Sequence, residues 1–239
     1  MKGILVDGVG YKPIPKVACT SLKHVLYELK HNEPFLTDLD QGKHIHHYWW
    51  KKQEPIQNNS INFIVLRDPI KRFLSAFSNR VSHHEELSKE FLSKKHPELM
   101  EIIPKFSPSL SEFIQHFKTY NKVATIEHHF QPVSEIVDND LSTFSNVFLI
   151  EQLGDVATFL SSNFKTKIHI PKTQTGGEKL PVSILTQPQL DYLLDYYYDD
   201  YKLLKNYYSV ETVLKEWRRG HYINRFFKSR KLLQKYKIT

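Results

Sequence analysis

A single cysteine, Cys19, stands in 239 residues, so no internal disulfide can form and the chain suits a reducing compartment. No stretch approaches the roughly 18 unbroken apolar residues that a membrane-spanning helix requires. Eight glycines and twelve prolines are too few for a fibrous or low-complexity chain, and 40% hydrophobic residues are enough to bury a core. The N-terminal MKGILVDGVGYKPIPK has an apolar run too short for a signal peptide, interrupted by Asp7, Gly8 and Gly10, so nothing in it directs export. The expectation is a soluble cytoplasmic chain, a single domain over residues 1–239 with a basic helical segment from about residue 210 to 239.

The net charge of +7 is unevenly spread. Lys215, Arg218, Arg219, Arg225, Lys228, Arg230, Lys231, Lys235 and Lys237 face Glu216 alone, while the rest of the chain is close to neutral. With Trp217, Tyr222, Phe226, Phe227, Leu232 and Leu233 interleaved, this tail has three readings: an amphipathic helix for an anionic membrane surface, a nucleic-acid arm, or a last helix docked on the body with its charges in water.

Periodicity gives an alternation of strands and helices. Tyr11–Pro15 reads as the end of a short strand, and Thr20–Lys30 as a helix with Leu22, Val25, Leu26 and Leu29 on one face. Ile61–Leu66 is nearly all apolar, as a strand covered on both faces of a parallel sheet must be, and Asp68-Pro69 then supplies a cap and a first-turn proline. Asn146–Ile150 reads as a second such strand, followed by a helix from about Leu153 to Ser162. Helices are also expected over Glu85–Lys95, over Ser109–Phe117 with a capping box, and from Thr186 onward. In the last of these Leu190, Leu193, Leu194, Tyr197, Tyr198, Tyr201 and Leu204 form one core stripe, while Asp191, Asp195 and Asp199 form a solvated line. The fold class that follows is α/β, a central parallel sheet flanked by helices.

The chemistry begins at the first strand-to-helix turn, Pro15-Lys16-Val17-Ala18-Cys19-Thr20-Ser21-Leu22-Lys23. Such a turn gathers backbone N–H groups, the positive end of a helix and two hydroxyls at one point, which suits a phosphate. A nucleotide-hydrolase P-loop needs glycines before its Lys-Ser/Thr pair, and no glycine lies between Tyr11 and Lys23. A second phosphate site is offered by Val65-Leu66-Arg67-Asp68-Pro69, where Arg67 leaves a buried strand with a planar fork of donors, and Ser75 in the next helix adds a neutral one.

The PKVACTSLK segment resembles the turn with which sulfotransferases hold the 5′-phosphosulfate of 3′-phosphoadenosine-5′-phosphosulfate, PAPS, and Arg67 with Ser75 resembles their 3′-phosphate motif. Over much of its length the chain is most similar to the family 2 carbohydrate sulfotransferases, whose animal members act in the Golgi on chondroitin, heparan and related glycans. Glu127-His128-His129-Phe130-Gln131-Pro132 is similar to their acidic-His-Trp-x-Pro segment, with Phe130 in place of Trp. Phe148–Leu153 with Phe159-Leu160, and Asp200–Leu204, resemble their later strand, helix and Tyr-rich helix. Their membrane anchor and stem have no counterpart, as expected of a soluble, bacterial member with a P-loop-like sulfotransferase fold.

The resemblance implies an enzyme that moves a sulfuryl group from PAPS to a carbohydrate hydroxyl by in-line displacement, leaving 3′-phosphoadenosine 5′-phosphate and requiring no metal. Lys16, Val17, Ala18, Cys19, Thr20 and Ser21 would hold the 5′-phosphate, Arg67 and Ser75 the 3′-phosphate, with Lys16 neutralising the bridging oxygen. Pro171–Gly177, including Lys172 and Thr173, lies where relatives fold a loop over the nucleotide. Among 13 histidines, His44, His46 and His47 precede the second phosphate strand, and an extended segment would set His44 and His46 on one side. This resembles the His-x-His of heparan uronyl 2-O-sulfotransferases, which makes His46 the expected base and His44 the second choice. Lys51, Lys52, Lys71 and the tail favour an acidic glycan by charge, with an uncharged glycan or a glycolipid at a membrane surface as the alternatives, and the tail offers a peripheral contact with the inner face of the membrane. Two rivals remain, a kinase-like phosphotransferase and a nucleic-acid-binding protein acting through the tail. Neither accounts for both phosphate motifs.

Overall fold

The computed structural model describes residues 1–36, 44–56, 61–171 and 176–235, with side chains described as far as residue 223. The chain divides into two compact units, each built from two stretches of sequence: residues 1–67 with 128–176, and residues 68–127 with 177–239.

The first unit holds one sheet. Strands β1 (Lys2–Val6) and β2 (Val9–Lys12) form an antiparallel hairpin in which Val6 pairs with Val9 across Asp7-Gly8. Both turn residues have positive φ, 44° and 82°, the type I′ geometry that an Asp-Gly pair provides. The hairpin was not expected from the sequence, although Asp-Gly between apolar residues is its signal. β2 ends at Lys12 rather than at Pro15, because Pro13 has no N–H to continue the ladder.

Helix α1 (Cys19–His31) and helix α2 (Ile45–Trp50) follow, then the two-residue strand β3 (Glu54–Pro55) and β4 (Ile61–Leu66). After α8 (Val133–Ile136) come β5 (Asn146–Leu149) and α9 (Leu153–Phe164). The strand order is β3-β1-β2-β4-β5. β4 lies between β2 and β5 and is parallel to both, and all its residues after Ile61 are buried, as the apolar run requires. The expected parallel sheet is therefore the centre of a mixed one, whose antiparallel edge is β1 with β3. Flanking helices complete the α/β class.

Tyr11 lies at the middle of this core, stacked on Phe63 with ring centroids 4.8 Å apart. Its hydroxyl is fully buried and finds no hydrogen-bond partner among the described residues, and burial pushes its pKa well up. An unsatisfied buried donor costs stability, so Tyr11→Phe is expected to stabilise the protein by about 1 kcal/mol in thermal or urea denaturation. A destabilised variant would mean that the hydroxyl is satisfied in solution.

The second unit is helical. α3 (Pro69–Ala76) starts at Asp68, whose Oδ1 accepts from the Lys71 N–H at 3.1 Å, and runs into a π-helical segment, Phe77–His83. α4 (Lys89–Lys95), α5 (Leu110–Gln115) and α6 (Phe117–Tyr120) follow, and α7 (Ala124–Phe130) carries the chain back to the first unit. α10 (Gln187–Tyr196), α11 (Tyr198–Leu203) and α12 (Val210–Lys235) complete it. Phe73, Phe77, Phe113 and Phe117 pack edge to face or tilted at 5.3–5.9 Å, and fully buried Arg72 sets its guanidinium 5.6 Å from the Tyr197 ring.

Three helix expectations need correction. The helix placed at Glu85 begins at Lys89, because Ser88 accepts from the Phe91 N–H and Glu85 takes a left-handed φ of 51°. The capping box at Ser109 is present, but its helix stops at Gln115. The long helix from Thr186 is broken at Tyr197 (φ −100°, ψ 23°), and the break turns Tyr198 out of the stripe to 66% exposure. Asp191, Asp195 and Asp199 are exposed, as a solvated line should be.

α12 begins where the basic segment was expected. Trp217 Nε1 donates to the Leu185 carbonyl at 2.8 Å, and Glu216 pairs with Lys71 at 2.7 Å. Lys71, counted toward an acidic acceptor, is thus already charge-paired. No helix among the described residues is long and apolar enough to cross a membrane.

Candidate active site

The site is built at the C-terminal edge of the parallel strands. Lys12 at the end of β2 pairs with Ile64 of β4, so residues after Lys12 and after Leu66 emerge at the same edge, where α/β sheets place ligands. Between β2 and α1 the chain makes a tight turn in which Lys16 and Ala18 adopt positive φ, 69° and 61°. These are conformations a phosphate loop usually assigns to glycine, and they cost about 1–2 kcal/mol each for side chains with a Cβ.

The surroundings hold the turn. Val17 is fully buried, Ala18 caps α1, and the Leu22 N–H donates to the Ala18 carbonyl at 3.1 Å. Arg67 Nη1 donates to the Lys16 carbonyl at 3.2 Å. That bond brings the two predicted phosphate motifs together, although 51 residues separate them in sequence. The first turn of α1 has no acidic residue and Ala18 offers no side-chain cap, so the positive helix end is not answered by a carboxylate of its own. A strained turn of this kind at a helix N-terminus fits a phosphate group. Thr20 and Ser21 are buried at its base, 6% exposed each, and Cys19 is half-buried.

α2 lies against α1. Trp49, fully buried, donates its indole N–H to the Lys23 carbonyl at 2.9 Å and fixes the two helices together. His46 is thereby set between two α1 side chains: Thr20 Oγ1 is 3.0 Å from Nε2, and Lys23 Nζ is 2.7 Å from Nδ1. The expected extended segment is instead a helix from Ile45, with His44 as its N-cap accepting from the His46 N–H at 3.3 Å. The two rings still share a side, stacked at 4.7 Å and 6°, and His47 is exposed. Lys23 is 7% exposed, and burial pulls its pKa down against the opposing influence of Cys19.

Ser75 lies in the second unit, half-buried on α3. In the same unit Asp68 Oδ2 accepts from the Tyr201 hydroxyl at 3.0 Å, and burial raises the Asp68 pKa. The bond ties the cap of α3 to the Tyr-rich helix and pushes the Tyr201 pKa up, with burial the main cause. Phe130 is fully buried at the end of α7. Lys172 and Thr173 lie outside the described residues. Gly177, at the end of the expected lid, has φ +91° and packs against the Ser78 backbone, while Ser78 Oγ donates to the Glu178 carbonyl at 2.6 Å. No His, Cys, Asp and Glu group suited to a metal ion occurs among the described residues.

Of the residues expected at the site, the first unit brings Lys16, Thr20, Ser21, His46 and Arg67 to one edge; Lys23, which touches His46, and the Asp68–Tyr201 pair were not among those expected. Lys23 had a signal: it lies one helical turn after Thr20, on the same face of α1.

The sulfotransferase family profile matches residues 6–209. The chain is similar to human carbohydrate sulfotransferase 9, with 23% identity over 235 residues, covering 82% of this chain and 50% of that protein. The chain thus spans about half the length of the curated relative it matches. No solved structure matches.

Proposed function

The chain belongs to the sulfotransferase family, and from that membership we propose that it transfers a sulfuryl group from PAPS to a hydroxyl of a carbohydrate acceptor. The nucleotide supplies a sulfuryl group activated by a phosphate leaving group. The bond from sulfur to the bridging oxygen breaks, a bond from sulfur to the acceptor oxygen forms, and the acceptor's proton must be taken up by the protein.

Each role falls to a residue of this chain. The N–H groups of the turn at 16–21, with the Thr20 and Ser21 hydroxyls, hold the 5′-phosphate, with Val17, Ala18 and Cys19 forming the turn. The Lys16 ammonium meets the charge that develops on the bridging oxygen. Arg67 grips the 3′-phosphate while fixing the turn through the Lys16 carbonyl, and the motif gives Ser75 to the same phosphate. His46 takes the acceptor's proton, with His44 stacked on it as the second candidate. Lys172 and Thr173 are assigned to the nucleotide by the resemblance alone. Positioning and electrostatics, not a metal, carry the catalysis. The proposed setting is cytoplasmic, with the basic tail as a peripheral membrane contact.

The observation that carries this reading is the Arg67–Lys16 contact, which sets a guanidinium beside a left-handed phosphate turn. Isothermal calorimetry with 3′-phosphoadenosine 5′-phosphate and with adenosine 5′-phosphate tests it. The bisphosphate is expected to bind at least about tenfold more tightly, the worth of one charge-assisted contact. Equal affinities would overturn the assignment of Arg67 and Ser75. Transfer from labelled donor to acidic and neutral oligosaccharides then identifies the acceptor.

A further inference from the structure

We propose that Lys23 is the positioning residue of His46: donating to Nδ1, it fixes the tautomer that carries hydrogen on Nε2 and turns that N–H toward Thr20. The distances are 2.7 Å from Lys23 Nζ to Nδ1 and 3.0 Å from Nε2 to Thr20 Oγ1. An ammonium has three donors and no acceptor, so Nδ1 must present its lone pair, and a neutral ring then carries its one hydrogen on Nε2. The amine cannot easily turn away. Lys23 is almost fully buried, its own carbonyl is clamped by Trp49, and the stacked His44 ring restrains His46 from the side.

Several described groups face the pair. Thr20 and Cys19 come from α1, His44 from α2, and Lys30 lies over the far ring of Trp49 at 5.7 Å. Among the described residues named here none is a carboxylate, and burial of Lys23 favours loss of its proton.

The consequence for catalysis rests on the proposed function. With Lys23 charged, His46 has no nitrogen ready to accept. With Lys23 neutral, the amine accepts from Nδ1–H and Nε2 exposes its lone pair. When the acceptor's proton reaches Nε2, the Nδ1 proton passes to Lys23, which becomes an ammonium that donates back to the ring. One proton enters the pair and one charge appears on Lys23, so the step balances. Lys23 thus stands to His46 as the buried carboxylate stands to histidine in hydrolytic triads, with opposite charge.

Nitrogen-resolved NMR of the His46 ring tests the positioning without any activity assay. In the wild-type protein at about pH 6, Nε2 is expected to be protonated and Nδ1 not, with the ring still neutral, where an ordinary imidazole would be mostly cationic. In Lys23→Met, which keeps the buried stem, the ring is expected to titrate as an ordinary histidine, near pH ~6.5. Lys23→Arg keeps a donor that never loses its proton, so the tautomer should persist while turnover falls on the order of a hundredfold. The pH–rate profile adds a second readout: the acid limb of the wild type should lie above that of Lys23→Met. A wild-type ring that titrates like the Lys23→Met ring overturns the proposal. A fixed tautomer in a protein that discriminates no 3′-phosphate leaves the positioning intact and removes only the proposed reaction.

Discussion

Lys16→Ala is expected to give a folded protein that still binds 3′-phosphoadenosine 5′-phosphate but turns over on the order of a thousandfold more slowly. The turn around residue 16 is held by backbone groups. Arg67 bonds to the Lys16 carbonyl, which alanine retains, and Ala18 two residues later already tolerates φ 61°. The substitution therefore removes the ammonium while keeping the carbonyl that Arg67 holds, so melting temperature and bisphosphate affinity should change only slightly. What is lost acts on charge that appears on the bridging oxygen as the bond to sulfur breaks, charge the bound product analogue does not carry in the same place. The expected signature is a fall in kcat without a matching rise in KM for the donor. Near-normal turnover would remove Lys16 from the chemistry. A collapse of bisphosphate binding would make it a holding residue instead.

The parts of this site that were legible in the sequence are those fixed by local chemistry. The nearly all-apolar run of β4 pointed to a strand covered on both faces of a parallel sheet, and the run of residues from Pro15 to Ser21 to a strand before it and a helix after it. Once β2 and β4 are neighbours, Arg67 and the Lys16 turn must emerge at the same edge, so their meeting follows from strand order as much as from any motif. What was not legible depends on phase and distance. His44 and His46 were placed on one side by an alternation that does not exist, and they share a side because one caps the helix that holds the other. The Lys23–His46 contact joins residues 23 apart through the docking of α2 on α1, which no local pattern encodes. The core stripe from Leu190 to Leu204 was right in composition but wrong in phase after Tyr197, where the backbone leaves the helix. Nor did the sequence signal two units, since the divisions fall at Arg67 and Asp68, inside a motif, and within α7, rather than in a linker.

Arg67→Ala should produce the largest loss of nucleotide affinity, because one side chain is asked to do two things. Its guanidinium donates at 3.2 Å to the Lys16 carbonyl, and the remaining donors of its fork are assigned to the 3′-phosphate. Removing it deletes a charge-assisted contact worth up to about 3 kcal/mol, roughly a hundredfold in Kd for 3′-phosphoadenosine 5′-phosphate. It also releases a turn that holds two non-glycine residues in left-handed conformations, so the melting temperature should fall as well. Adenosine 5′-phosphate separates the two effects. It has no 3′-phosphate, so its affinity should fall only by the share due to the loosened turn, and the ratio between the two nucleotides should approach one. Arg67→Lys keeps the charge but not the planar fork, and is expected to recover part of the bisphosphate affinity and little of the stability. If the ratio in Arg67→Ala stays at its wild-type value, the 3′-phosphate is held elsewhere, and Arg67 is a strut of the turn alone.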